Sequence, residues 1–364
     1  MSFATEPRFQ HGLPPSTGVL LVNLGTPESP TPGALRRYLS QFLSDPRVVE
    51  IPRLIWLPIL HGIILRVRPA KSAAKYASIW MTEGSPLRVW TEKQTTLVQG
   101  FLGERGHRLI VKHAMRYGQP SITAQLDALK AEGATRLLIV PLYPQYSGAT
   151  TASVMDEVFA WGRRIRNLPE LRHIGRYPEH SGYIDALASS VKEHWKAHGR
   201  AGKLVISFHG MPHHTLLKGD PYHCECLKTG RLLAERLALS PDEYVVTFQS
   251  RFGKAKWLEP YTEPTLRQLA KTGTRRVDVI CPGFVADCIE TLEEIAMEGK
   301  EAFLSSGGQE FNYIPCLNDR LDWIRALSDL IEQHLQGWPT RLHEQPSAQG
   351  LAAQQHRAQH LGAP

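Results

Sequence analysis

A chain of 364 residues has room for one large or two ordinary α/β domains, and 42% apolar with 21% charged residues excludes a disordered or coiled-coil protein. The net charge of +7 suits an anionic membrane, a substrate bearing carboxylates, or nucleic acid, but the basic residues are scattered, with no long Lys/Arg run of the kind that binds nucleic acid. The five cysteines are an odd number and residues 1–16 hold no apolar signal core, which together imply reduced thiols and a cytoplasmic location.

Residues 1–17 read as an N-terminal extension. From 18–23 (GVLLVN) onward, short apolar runs end in Gly/Pro turns and give way to helical periodicity. The others lie at 108–113, 136–142, 203–208, 244–248 and 276–281. This alternation predicts parallel strands joined by crossover helices, a doubly wound α/β architecture. Between the first two runs lies 54–65 (LIWLPILHGIIL), too short for a membrane span and interrupted by Pro58 and Gly62. Arg53, Arg66, Arg68 and Lys71 flank it. Periodicity leaves two equal readings: a buried helix, or an apolar lip over 51–70 that meets a bilayer or a greasy substrate.

The second half echoes the first. Arg116-Tyr117-Gly118 returns as Arg251-Phe252-Gly253, and Thr135-Arg136 as Thr274-Arg275, at offsets of 135 and 139 residues. Two echoes in the same order predict duplicated Rossmann-like domains, 18–170 and 171–320, each a parallel sheet flanked by helices, with a cleft between them. The seam is expected near 165–180. A helix at 321–338 is expected to pack back. Residues 339–364, rich in Gln, His and Ala, read as a disordered tail whose His343, His356 and His360 are solvated.

Ligands of open α/β sheets bind beyond the carboxyl ends of the strands. One such end carries His209 (LVISFHGMP); after another, Glu290 opens a helix. Alone, a strand-end His is more often structural, and a first-turn Glu is ordinary at a helix N-terminus. The surroundings of Glu290 are less ordinary. Asp287, Glu290, Glu294 and Glu298 fall on one helical face, and no Lys or Arg occurs between 277 and 299. This is a ladder for a hard cation or for departing protons, with an acidic solvated face as the alternative. His223, Cys224 and Cys226 crowd three potential ligands into four residues, which rarely close a tetrahedron, and are read as structural or loop residues.

The segment 204–222 (LVISFHGMPHHTLLKGDPY) resembles the ferrochelatase signature along its whole length. LLVNLGTP, GSPL, MRYGQPSI, YPQYS, FQSRFGKAKWLEPYT and CPGFVADCIETLEEI agree in order, so the resemblance covers about 18–335. It implies the two-domain chelatase-type fold and insertion of Fe²⁺ into a porphyrin, with proteobacterial protohaem-forming members as the nearest look-alikes. The family's active-site histidine falls on His209 and its acidic partner on Glu290. Its macrocycle-contacting positions fall on Leu24, Arg116, Tyr117, Tyr143 and Trp257. Its acidic line on a π-containing helix falls on Glu290, Glu294 and Glu298, which makes these three and His209 the candidate metal contacts. Its porphyrin-covering lip, which faces the inner membrane in some members, falls on 54–65.

Two departures narrow the expectation. Where animal members carry a His two residues before the acidic partner, this chain has Cys288. The first cluster-ligand position of iron–sulfur members reads Gly148, and no Cys follows Cys316, so no cofactor is expected and iron is a substrate. Insertion into coproporphyrin III, or a cobalt or nickel chelatase, are the neighbouring readings. A two-lobed binding protein is the reading from another class. A dinucleotide enzyme is disfavoured, because no strand is followed by G-x-G-x-x-G.

Overall fold

The computed structural model describes residues 3–6, 8–251, 253 and 255–363. The Arg251-Phe252-Gly253 echo and the FQSRFGKAKWLEPYT match therefore lie partly outside the described residues, at Phe252 and Lys254. Eight strands form two parallel sheets. The first holds β1 (Ser16–Gly25), β2 (Leu109–Tyr117), β3 (Ala134–Pro141) and β4 (Glu170–His173) in the order β2-β1-β3-β4. The second holds β5 (Lys203–His209), β6 (Tyr244–Gln249), β7 (Arg276–Ile280) and β8 (Glu310–Ile314) in the order β6-β5-β7-β8.

The two sheets have the same topology, which is the duplication that the echoes predict. A turn repeats as well. The Met115 amide donates to Pro120 O at 2.7 Å, and the Phe248 amide to Pro260 O at 2.8 Å. Both prolines follow cis peptide bonds. Three residues separate Arg116 from Pro120 and eight separate Arg251 from Pro260, so the second copy carries a longer loop, and Trp257 sits in it.

Side-chain alternation along the strands divides the core. Val19 and Leu21 of β1 and Leu204, Ile206 and Phe208 of β5 belong to one buried cluster that runs through both halves. Leu20 and Val22 face a second cluster behind the first sheet, and Val205, Val277 and Val279 a third behind the second. The central strands β1, β3, β5 and β7 read as continuous apolar runs, and β2 (LIVKHAMRY) and β6 (YVVTFQ), although they lie at sheet edges, also open on apolar runs, so all six were visible in sequence. The edge strands β4 (ELRH) and β8 (EFNYI) carry polar residues and show no such run. β4 lies inside the segment expected to be the seam.

The helix Leu321–His334 packs back onto Pro86–Glu104 and Ser181–His198. Beyond it, where disorder was expected, Ala348–His360 is helical. Ser347 caps it by accepting from the Gly350 amide at 3.1 Å, and its Ala- and Gln-rich sequence favours helix without needing an apolar face. Gly12 of the N-terminal extension lies against it: a Cβ there would sit 3.0 Å from Gln355 Cβ.

The apolar stretch resolves into Arg53–Ile59, a π-helical turn at Leu60–Ile64 and a lip helix, Leu65–Ile79. The stretch divides by face into a buried side and an exposed apolar side. Trp56, Leu60 and Leu65 are buried, while Leu54 (92% exposed), Ile55, Ile63 and Val67 stand in solvent.

Candidate active site

The carboxyl ends of β1, β2, β5 and β7 and the lip surround one region. Gly25 ends β1 with φ +116°, and a Cβ there would fall 1.8 Å from Tyr117 O. Only glycine lets the two strand ends close up so that Leu24 and Tyr117 form one wall. Leu24 is half-buried, and both residues pack with Tyr38, Tyr76 and Ile289 in a cluster beneath the lip.

The Tyr117 hydroxyl and Arg116 Nη2 both donate to Asp45 Oδ2 at 2.8 Å, and Arg116 Nε donates to Ser153 Oγ at 2.7 Å. The Arg116 guanidinium fork has the right shape for a carboxylate. In the structure Asp45 and Ser153 engage it, and it braces Tyr117. Tyr143 is buried, and its hydroxyl has no hydrogen-bond partner among the described residues.

His209 is the last residue of β5, between β6 and β7. Its Nδ1 lies 2.6 Å from Gly210 O, and a carbonyl only accepts, so Nδ1 carries a proton and Nε2 is the nitrogen left for a substrate or ion. Gly210 admits no side chain: a Cβ would meet Gln249 O at 2.6 Å and the Trp257 ring at 3.2 Å. This bare backbone lets Trp257 pack against the residue that follows the histidine.

Glu290 begins a π-helix, Glu290–Gly299, after β7. The wider π turn brings residues roughly four to five apart into line, which suits the spacing of Glu290, Glu294 and Glu298. Gln249 Nε2 holds the helix start by donating to Glu290 O at 2.7 Å. Glu294 accepts from the Ser250 amide at 2.6 Å and from the Ser250 hydroxyl. Burial pushes the Glu294 carboxyl above the ordinary glutamate range; the Ser250 hydroxyl and the field of His209 act the other way, and Glu290 adds to the rise. His209 and Glu294 therefore feel each other's charge.

Two features of the sequence ladder change. Asp287 is turned into the core, where it accepts from Tyr313 Oη at 2.6 Å, Asn318 Nδ2 at 2.6 Å and Thr291 Oγ1 at 3.0 Å. It anchors the helix and is not a member of the line. The absence of basic residues is true of the local sequence only, because Lys75 of the lip helix bridges Glu293 and Glu298.

Cys288 is buried, which pushes its thiol well above the ordinary range, and Glu290 raises it further through charge and a hydrogen bond. It is a neutral donor to Glu290, unsuited to hold a soft metal as thiolate. On Tyr222–Arg236, the His223 ring stacks on Phe248 at 5.5 Å, Cys226 is buried and Cys224 exposed, so the H-C-x-C residues point apart. Among the described residues no three His, Cys, Asp or Glu side chains gather as a metal centre. The carboxylates are strung out, an arrangement for passing an ion or proton along.

Sequence reasoning missed Tyr38 and Tyr76. Both are buried, and burial raises their phenols well above the usual range, with Glu290's charge contributing in each case. Their rings meet edge to face at 6.5 Å, and Tyr38 Oη donates to Gly25 O at 3.2 Å. Their sequence signal is that of ordinary buried helical aromatics. Ser250 was also missed, because its left-handed backbone (φ +66°) is not legible in sequence.

Two parallel four-stranded sheets with a histidine at one strand end and a carboxylate line at the next define a chelatase-type protein. The solved structure of SirB from Bacillus subtilis with Fe³⁺ shares the fold, with a TM-score of 0.52 at 12% identity over 87% of this chain and 95% of that one. Residues 16–335 match the ferrochelatase family model, and the chain belongs to the ferrochelatase family. It is 66% identical to the ferrochelatase of Methylibium petroleiphilum over 100% of this chain and 99% of that relative. It is 62% identical to that of a Polaromonas species, with both chains covered completely.

Proposed function

We propose that this chain inserts Fe²⁺ into protoporphyrin IX to give protohaem, with release of two protons, as the last step of haem synthesis. The observation that carries the reading is the His209 ring, held by Gly210 O so that its Nε2 is left to react, in charge contact with Glu294 and through it with Glu290. Metallation replaces two pyrrole N–H protons by one cation, so the site needs a base, a path for protons and a surface that favours a bent ring. Leu24, Tyr117, Tyr143 and Trp257 supply apolar and aromatic walls, braced by Asp45 and Arg116. A rigid wall that binds the bent ring better than the flat one lowers the barrier to metal entry. Nε2 accepts a pyrrole proton or meets the iron; Glu290 and Glu294 take charge onward toward Glu298. The raised Glu294 carboxyl suits a group that must both gain and lose a proton.

Among the described residues no helix is long and apolar enough to cross a membrane. The exposed face of the lip, with Arg53, Arg66 and Lys71 beside it, supports peripheral contact with an anionic bilayer, from which a hydrophobic ring would enter.

The test is metalloporphyrin formation with Fe²⁺ or Zn²⁺. His209→Ala and Glu290→Gln should each lose at least about 100-fold in kcat, the range of general-base removal. Near-normal turnover in a folded His209→Ala protein rejects the assignment. Faster turnover of coproporphyrin III than of protoporphyrin IX would replace the substrate.

A further inference from the structure

The lip helix and the π-helix meet through one cation. Lys75 Nζ lies 2.9 Å from Glu293 Oε1, 3.0 Å from Glu293 Oε2 and 2.7 Å from Glu298 Oε1. Three residues along, Ser78 Oγ lies 3.9 Å from Met297 Sδ, so the same face of the lip helix continues against the π-helix. The adjacent Tyr76 points the other way, into the cluster beneath the lip with Tyr38 and Leu24. One stretch of helix thus touches both the pocket wall and the outer end of the carboxylate line.

We propose that Lys75 is a positioning residue: a tethered counter-ion that latches the lip helix to the outer carboxylates and is exchanged for the incoming divalent cation. The inference rests on reading Glu290, Glu294 and Glu298 as the metal's route. The two glutamates carry two negative charges and Lys75 only one positive, so the outer end keeps a net attraction for cations. A half-exposed ammonium holds such a pair weakly, whereas a hard divalent ion prefers oxygen ligands, so exchange is favourable. Once displaced, the ammonium no longer pins the lip helix. Arrival of the metal then loosens the cover over the pocket. Glu293 has its place in this device: its side chain is mostly buried between the two helices, off the line itself, and its role is to hold Lys75.

The experiment uses the full chain, with Zn²⁺ as the metal and no porphyrin for the exchange measurement. In the wild type, Zn²⁺ should speed amide hydrogen exchange across 65–79. In Lys75→Met, exchange there should already be fast and indifferent to Zn²⁺, while Lys75→Arg keeps the metal response. In turnover, Lys75→Met should lower KM for Zn²⁺ about two- to five-fold, the strength of one such ion pair, without raising kcat. Unchanged Zn²⁺ KM in Lys75→Met, together with wild-type exchange that ignores Zn²⁺, overturns the latch. Glu298→Gln separates the two ideas. If it raises KM for Zn²⁺ while Lys75→Met has no effect, only the latch fails. If it too leaves KM unchanged, the carboxylate route fails with it.

Discussion

Ser250 turns both of its donors, amide and hydroxyl, onto the carboxylate of Glu294, and holds a left-handed backbone to do so. A non-glycine residue at φ +66° carries strain of order 1–3 kcal/mol, which the surroundings must offset. The strain aims two hydrogen bonds at an acid that burial has already made reluctant to ionise.

This pairing gives a prediction with two signs. An acid whose folded pKa lies above its unfolded one destabilises the fold increasingly as pH rises through the ordinary glutamate range, and fully above the raised value. Glu294→Gln should therefore melt no lower than the wild type at neutral pH while turnover falls. Ser250→Ala removes a donor that favours the ionised form, so the acidic limb of its pH–rate profile should move to higher pH, with kcat/KM for metal down about tenfold, as for loss of a charged hydrogen bond. An unmoved acidic limb would count against Glu294 as a working carboxylate.

Asp45 behaves in the opposite sense. Burial alone would raise its carboxyl, but hydrogen bonds from Ser153, the Arg47 amide and Tyr117, with the charge of Arg116, hold it below the ordinary range. The stability it contributes is present above the unfolded pKa and is lost as pH falls through the folded one. Asp45→Ala leaves Arg116, Tyr117 and Ser153 without their shared acceptor and should cost about 3–5 kcal/mol in urea unfolding at neutral pH. In the acid window, where the wild type loses stability, Asp45→Asn should show a flatter dependence on pH.

The thiols allow a simple titration. Cys226, Cys281, Cys288 and Cys316 are buried with thiols pushed well up, and Cys224 is exposed. A native sample should release one equivalent against an aromatic disulfide at pH 8, and five in denaturant. More than one fast thiol would mean that the region around Cys288 opens in solution.

For the lip, Leu54→Glu combined with Ile63→Glu should weaken binding to phosphatidylglycerol vesicles by at least tenfold, since each apolar side chain is worth about 1.5–3 kcal/mol when withdrawn from water. Flotation measures this directly. Turnover of a detergent-dispersed porphyrin should stay within about twofold, because both side chains point away from the pocket. Unchanged flotation would remove the membrane from the account.

Much of this architecture could be read from the chain because its central strands are apolar on both faces and its duplication preserved short words such as RYG and TR. A strand such as ELRH could not be read, since four residues of which Glu170 and Arg172 are charged show no apolar run. The same limit applies at the site. His209 and Glu290 were visible by type, position and resemblance. Their supports were not: Ser250 acts through an unusual backbone angle, Lys75 reaches the π-helix from 218 residues away, and Asp287 sits at the right spacing but faces the core. Spacing within a helix predicts which residues share a face, yet not which long-range partner completes it.

The buried cluster that joins Val19 and Leu21 to Leu204 and Ile206 also bears on how a flat, rigid molecule reaches the pocket. Two lobes that share a continuous dry interior have no hinge to swing on: parting them would wet that interior on both sides. The halves are therefore joined through one interior, whereas the helical segment around 54–79 packs on a separate cluster with its outer face in solvent.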